Sequence, residues 1–327
     1  MRHLRLVPDH TNIDFFAIAR VTFGGSMLLV VISIIAPFIW GLNFGIDFLG
    51  GTTIRTEAVQ PVDVGAYRKA LAPLKLGDVV INQVFDPGFS ATQNVASIRV
   101  SAVKGHESIP QGELKSIEAA LKAVDPSIKF TSVNSVGPKV SGELMKKAVL
   151  AITGAIFAVM AYIWLRFEWQ FALGAAVATI HDVALTVGIF VALQIKFDLS
   201  IIAALLTIVG YSLNDTVVVF DRARENLIKY KKMPLRDVLN LSANETLSRT
   251  LMTSGSTLIP LIALLILGGD VIRGFVFAIT WGVITGTYSS IYVAKNIVLM
   301  LGVKRDWGRK DDSTAGTQFG GKAKAKG

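Results

Sequence analysis

Apolar positions fall into six long runs, at residues 21–40, 148–165, 169–193, 199–220, 250–267 and 275–294. Each approaches the ~20 residues that cross a bilayer at 1.5 Å per residue. Between the first two runs the pattern changes. Residues 52–59 alternate and predict a strand, and residues 62–74 predict a helix started by Asp63. Residues 77–85 and 94–103 predict two strands, split by the turn Asp86-Pro87-Gly88. Residues 111–124 read as an amphipathic helix with Leu114, Ile117, Leu121 and Val124 on one face, and residues 127–136 as a last strand. The order βαββαβ is that of a ferredoxin-like unit. The predicted fold class is therefore an α-helical integral membrane protein. It has six transmembrane helices, with a small α+β ferredoxin-like domain between the first and second.

This divides the chain into a lead (1–20), a first helix (21–46), a domain outside the membrane (47–142), a five-helix region (143–302) and a basic tail (303–327). The lead carries Ile13, Phe15, Phe16 and Ile18, which suit a short interfacial helix, with a disordered lead-in as the alternative. Residues 21–46 are uncharged, well beyond a signal-peptide core of ~7–15 residues, so the first span is expected to be retained.

Composition sharpens this. Of 327 residues 52% are hydrophobic, which points to several spans rather than a soluble domain. The net charge of +9 would raise nucleic acid as a partner in a soluble protein. Here the basic residues flank apolar runs, so membrane lipid is the expected surface and nucleic acid is not. With six spans both termini share a side. That side holds Arg2, Arg5, Arg20, Arg166, seven Lys and Arg in residues 221–249 and eight from Lys295 onward. The opposite short loops hold Lys196 and Arg273, while Lys146 and Lys147 run against the trend. Both termini are thus expected in the cytoplasm and the 47–142 domain outside. There is no cysteine, hence no disulfide or thiolate metal site. No phosphate-cradling Gly-x4-Gly-Lys-Ser/Thr loop and no His-Glu-x-x-His motif occurs. No enzyme activity, metal or cofactor is expected, and an ion gradient is left as the energy source.

The candidate chemistry lies inside the spans. Asn214 and Asp215 interrupt the run at 199–220. A carboxylate in hydrocarbon costs at least ~2.5–3.5 kcal/mol and normally has a partner or a job. Thr207, Tyr211 and Asp215 form a polar stripe, and Arg249, Thr253, Ser256 and Thr257 form another on the next run. Asp215 and Arg249 lie toward the same membrane face, so an ion pair is expected. Asp215 is then either a switch that alternates between pairing and protonation, or a permanently paired structural residue. Arg249 is its partner or an ordinary interfacial arginine. Asp182 is a second proton site or a helix-packing group, with Thr186 one turn on, and His181 reads as a hydrogen-bonded interior residue. Gly282, Gly286, Ser290 and Ala294 form a small-residue seam for close helix packing. After the first run, residues 41–52 read "GLNFGIDFLGGT". Gly45, Gly50 and Gly51 suit a sharp exit turn, with Asp47 capping or bonding it.

Four stretches carry a resemblance. They are "GLNFGIDFLGGT", "GYSLNDTVVVFDRARENL" (210–227), "SRTLMTSGSTL" (248–258) and "GVITGTYSSIYVA" (282–294). In this order, at these spans, they resemble the SecD/SecF family of bacterial protein-translocation subunits, and within it the SecF type. That family belongs with the resistance-nodulation-division transporters. The resemblance covers roughly residues 20–305. It implies an inner-membrane subunit that pairs with SecD, a sister of the same six-span plan, to form SecDF. It implies work with the SecYEG translocon and SecA, and with YajC and YidC, on a translocating polypeptide. It implies use of protons late in export, with Asp215 and Arg249 in the proton-responsive site. Two other readings stay open. One is half of a proton-driven exporter of small molecules or lipids, which should carry an apolar substrate cleft in the outer domain. The other is a scaffold for SecD that moves no ions.

Overall fold

The structure is a computed structural model that describes residues 11–90, 93–101 and 109–303. Residues 102–103 of the expected third strand, Arg2 and Arg5 of the lead, and the tail after residue 303 lie outside that range. Six helices are long and apolar enough to cross a membrane. They are α1 (Ala19–Trp40), α5 (Pro138–Arg166), α6 (Trp169–Ala192), α7 (Leu199–Lys229), α8 (Leu235–Leu267) and the run Asp270–Leu301. That last run comprises α9 (Asp270–Ser289), a π-helical turn Ser290–Ala294 and α10 (Lys295–Leu301).

Several helices overrun the apolar runs. α5 begins at Pro138, directly after the last strand, and α7 and α8 continue through residues expected as a basic loop. Hydropathy ends where lipid ends, but backbone hydrogen bonding continues into water. There the polar turns of α7 and α8 brace each other: Arg222 Nε donates to Glu245 at 2.7 Å, and Asn226 Nδ2 to Ser242 at 3.0 Å.

The domain between α1 and α5 opens with a one-turn helix α2 (Ile46–Leu49). Then follow β1 (Gly51–Ala58), α3 (Val64–Leu71), β2 (Val79–Val84), β3 (Asn94–Ser101), α4 (Gln111–Lys122) and β4 (Lys129–Val136). The sheet is antiparallel, in the order β2-β3-β1-β4. Asp63 caps α3 as its sequence promised, accepting from the Ala66 amide at 2.9 Å. The sheet buries Ile54, Ile98 and Ala96 against Tyr67 and Leu71 of α3 and Ile117 and Leu121 of α4. Each such large side chain contributes about 1.5–3 kcal/mol. Val124 does not join this face. α4 stops at Lys122, and Val124 is 39% exposed beyond it.

The described part of the lead does not form the expected short helix. Residues 11–14 have no regular structure and 15–18 are turns leading into α1, and Thr11–Phe16 straps against the polar turns of α8. Ile13 N and Phe15 N donate to the Asn244 and Asn240 side-chain oxygens at 2.8 and 3.0 Å. Asp14 accepts from Arg236 at 2.7 Å. Those amide side chains satisfy backbone groups that a helix would have paired internally.

Candidate functional site

The exit turn after α1 is a junction. Gly45 N donates to Phe197 O and Phe197 N to Asn43 O, each at 2.8 Å, tying the turn to the loop before α7. Asp47 does not close its own turn. Its Oδ2 accepts from Leu199 N at 3.0 Å, at the start of α7. Gly50 has φ +73, and a β-carbon there would sit 3.3 Å from Val136 O, so glycine is required on both counts. Gly51 opens β1 at φ +129, and Arg99 of β3 donates to Phe44 O at 2.9 Å. One turn thus joins α1, α7 and the sheet.

Asp215 sits on α7, 3% exposed, facing α8 and α9. Thr253 and Ser254 of α8 donate to its two oxygens at 3.5 and 3.4 Å. Ser254 also bonds Thr287 of α9 at 2.6 Å. Contacts of 3.4–3.5 Å are weak, so the carboxylate is enclosed but loosely held. The expected ion pair is absent. Among the described residues no cation lies within ion-pair distance of Asp215, and Arg249 is exposed one helical turn before Thr253. Arg249 shares the face of α8 that carries Thr253 but lies one turn further along the helix, beyond ion-pair distance of Asp215.

Asn214 is exposed and points away from Asp215. It lines a polar cleft of about 550 Å³ with Arg249, Arg222, Glu245, Glu225 and Arg166, where the end of α5 meets the second half of α7 and the middle of α8. This charged cleft therefore reaches Asn214, the residue beside Asp215, from the side that holds Arg249. Glu245 was missed from sequence. Its signal was a carboxylate four residues before Arg249, on the same face.

Asp182 lies apart from Asp215, fully buried on α6. Ser212 and Ser289 donate to its Oδ2 at 2.5 and 2.7 Å, and its Oδ1 lies 2.8 Å from His181 Nδ1. The other ring nitrogen of His181 bonds Ser26 of α1. Thr186 bonds only the Asp182 backbone carbonyl, at 2.7 Å. Four helices therefore meet on this dyad. Ser212 is one turn from Asp215 on α7, and Ser289 two residues from Thr287, so the two carboxylates share two helices.

The small seam works as read. A side chain at Gly282 would collide with Ile208 of α7, and one at Gly286 would meet Ser212 at 3.2 Å. Close approach of α7 and α9 sets both networks. Ser290 is buried in the π-helical turn, donating to Thr287 O at 3.0 Å. That turn rotates Lys295 inward, a feature no sequence pattern announced. Its ammonium is buried without a hydrogen-bond partner, 4.3 Å above Phe16 and 4.5 Å above Phe15 of the strap. Among the described residues no cluster of three or more metal-ligating side chains occurs.

The family model described as "Protein export membrane protein SecD/SecF, C-terminal" matches residues 116–304, and the "SecD/SecF GG Motif" matches residues 36–62. A protein translocase subunit SecF from Cereibacter sphaeroides is 64% identical, over 97% of each chain. One from Rhodobacter capsulatus is 60% identical over 95% of each. The crystal structure of SecDF, a translocon-associated membrane protein from Thermus thermophilus, superposes with a TM-score of 0.78 at 34% identity. The match covers 90% of this chain and 39% of that one, so the chain spans about two fifths of the solved SecDF protein.

Proposed function

The chain belongs to the SecD/SecF family of protein-export membrane proteins, and on that premise we propose that it couples proton movement to late steps of polypeptide export. It is a multi-pass membrane protein. In this reading it lies in the bacterial inner membrane with both termini cytoplasmic. Its ferredoxin-like domain is periplasmic, and it performs no covalent chemistry of its own. The observation that carries the reading is Asp215: an enclosed carboxylate in a span, held by weak hydroxyl donors, with the charged Arg249 cleft reaching the residue beside it.

Protonation removes a charge, so it changes which packing of α7 against α8 and α9 is stable. One proton falling through 100 mV supplies ~2.3 kcal/mol, enough to bias such a packing. Arg249 and Asn214 keep the cleft polar. Asp182, bonded to His181 and two serines, holds α1, α6, α7 and α9 in one arrangement and is the candidate second proton site. The junction at Gly45–Gly51 carries motion of α7 to the sheet.

A partner is part of the proposal. Asn214 is exposed on span α7 with no hydrogen-bond partner among the described residues, while the exposed hydroxyls of Thr207 and Ser256 are tied only to carbonyls of their own helices, Ala203 O and Thr253 O. SecD is the candidate that covers this face, with SecYEG and SecA beyond it. The test is proton uptake by proteoliposomes holding this chain with SecD, under an imposed gradient. The wild-type chain is expected to admit protons and Asp215→Asn to block them. Equal uptake by both would contradict the role of Asp215 and leave the scaffold reading.

A further inference from the structure

Strand β2 is one edge of the sheet, and its free side is unguarded. The Ser101 amide donates to Asp78 O at 3.0 Å, which fixes the alternation of the β2–β3 ladder. Even-numbered residues 80, 82 and 84 therefore face β3. Val79, Ile81 and Gln83 turn their N–H and C=O groups outward, and among the described residues nothing bonds them. The next outward residue, Phe85, shows that this edge pairs. Its amide donates to Asp270 Oδ2 at 2.6 Å and its carbonyl accepts from Asp270 N at 3.0 Å. The opposite edge, β4, is protected by Lys129 and by a register break at Arg55/Thr56. β2 reads VVINQV, with no charge, proline or bulge. Natural edges normally carry such guards, so their absence marks a surface kept open for a strand.

Two clefts flank that edge, one on each face of the sheet. A cleft of about 520 Å³ on the open face is lined by Asn82, Gln83, Val84 and Arg55, above the ends of the spans. A pocket of about 230 Å³ on the helix face is lined by Val79, Leu71, Leu76, Arg68 and Lys75. An added strand sends alternate side chains to opposite faces, so each cleft receives every second residue. Both are positive. Asp198 and Asp270 in the larger cleft are already paired with Lys196 and Arg273, which leaves Arg55 unopposed. Arg68 and Lys75 have no acidic neighbour in the smaller one.

We propose that the free edge of β2 is a strand-addition site for an extended, acid-bearing segment of polypeptide. Backbone pairing is indifferent to sequence, which suits a chain in export, and the proposal rests on that reading of function. The probe is a fluorescein-labelled ten-residue peptide of alternating Val and Asp, measured by anisotropy against the full chain in lipid nanodiscs. A Val/Lys peptide serves as comparison. The Val/Asp peptide is expected to bind at least about tenfold more tightly, from the charge lining both clefts. Gln83→Pro removes an outward N–H without touching the β3 ladder, and is expected to weaken binding about tenfold. The double variant Arg55→Glu with Arg68→Glu is expected to reverse the charge preference. Hydrogen exchange should slow at Val79, Ile81 and Gln83 on binding, and not at Val80 or Asn82. Unchanged binding by Gln83→Pro, or protection without that alternation, overturns the proposal. So does loss of peptide binding on adding SecD, which would assign the edge to the subunit contact. Asp215→Asn is expected to leave peptide binding intact, so failure of proton coupling and failure of strand addition give different results.

Discussion

Asp215 is buried against donors that reach it at 3.4–3.5 Å, and a carboxylate so placed gains little by staying charged. Asp182 differs, with two serine donors at 2.5 and 2.7 Å and a histidine beside it. Two carboxylates on neighbouring helices are therefore held differently, one by two weak donors and the other by short bonds that join four helices. Both were visible in sequence because a charge inside an apolar run has no cheap explanation. What the sequence concealed was the offset along the helix: Arg249 lies one turn from Thr253 on the same face of α8, out of ion-pair reach of Asp215, and lines the cleft. Lys295 was hidden by a local irregularity, since it directly follows a π-helical turn. The Gly282 seam was legible as spacing, and it supplies a residue-scale prediction. Gly282→Leu is expected to cost ~1–3 kcal/mol by forcing Ile208 out of contact, read as a lowered thermal midpoint in detergent. Gly210→Ala, with open space around it, is expected to leave the midpoint unchanged. Equal midpoints for the two variants would contradict the close packing of α7 on α9.

At the scale of elements, the strap Thr11–Phe16 links the lead of α1 to the polar end of α8. It lies on the helix that carries Thr253 and Ser254, so it limits how that helix moves. Asn244 makes three hydrogen bonds to it, counting the Thr11 side chain on its carbonyl. Asn244→Ala is therefore expected to raise amide exchange across residues 13–16 by about tenfold or more, while exchange within α6 is unchanged. The strap also has a pH sign. The Arg236 guanidinium holds the Asp14 carboxyl below the ordinary aspartate range. Its contribution is present above the unfolded value of ~3.9 and is lost as pH falls through the lower folded value. The strap's protection factor, which is exchange corrected for the intrinsic rate at each pH, should fall below about pH 4 as Asp14 takes up a proton. The six runs and the βαββαβ order were legible because burial imposes a period on the sequence. Where α7 and α8 leave the membrane that signal stops, and their polar turns looked like a loop although Arg222 and Glu245 join them.

At the scale of the whole molecule, the pieces form one connected path. The Arg249 cleft reaches Asn214, beside Asp215. α7 runs from there to Leu199, whose amide is held by Asp47 of the exit turn, and that turn continues into β1. In the proposed reading a change in α7 packing is delivered to the sheet through this junction, and SecD covers the face that exposes Asn214. The most direct measurement is release of a secreted protein from spheroplasts under a proton gradient. Wild-type chain and Asp215→Asn are compared at matched levels of membrane-inserted protein. The account predicts that release stalls in the variant and that collapsing the gradient adds no further defect. Normal release by the variant, still sensitive to the gradient, would contradict it and place the coupling carboxylate in the partner.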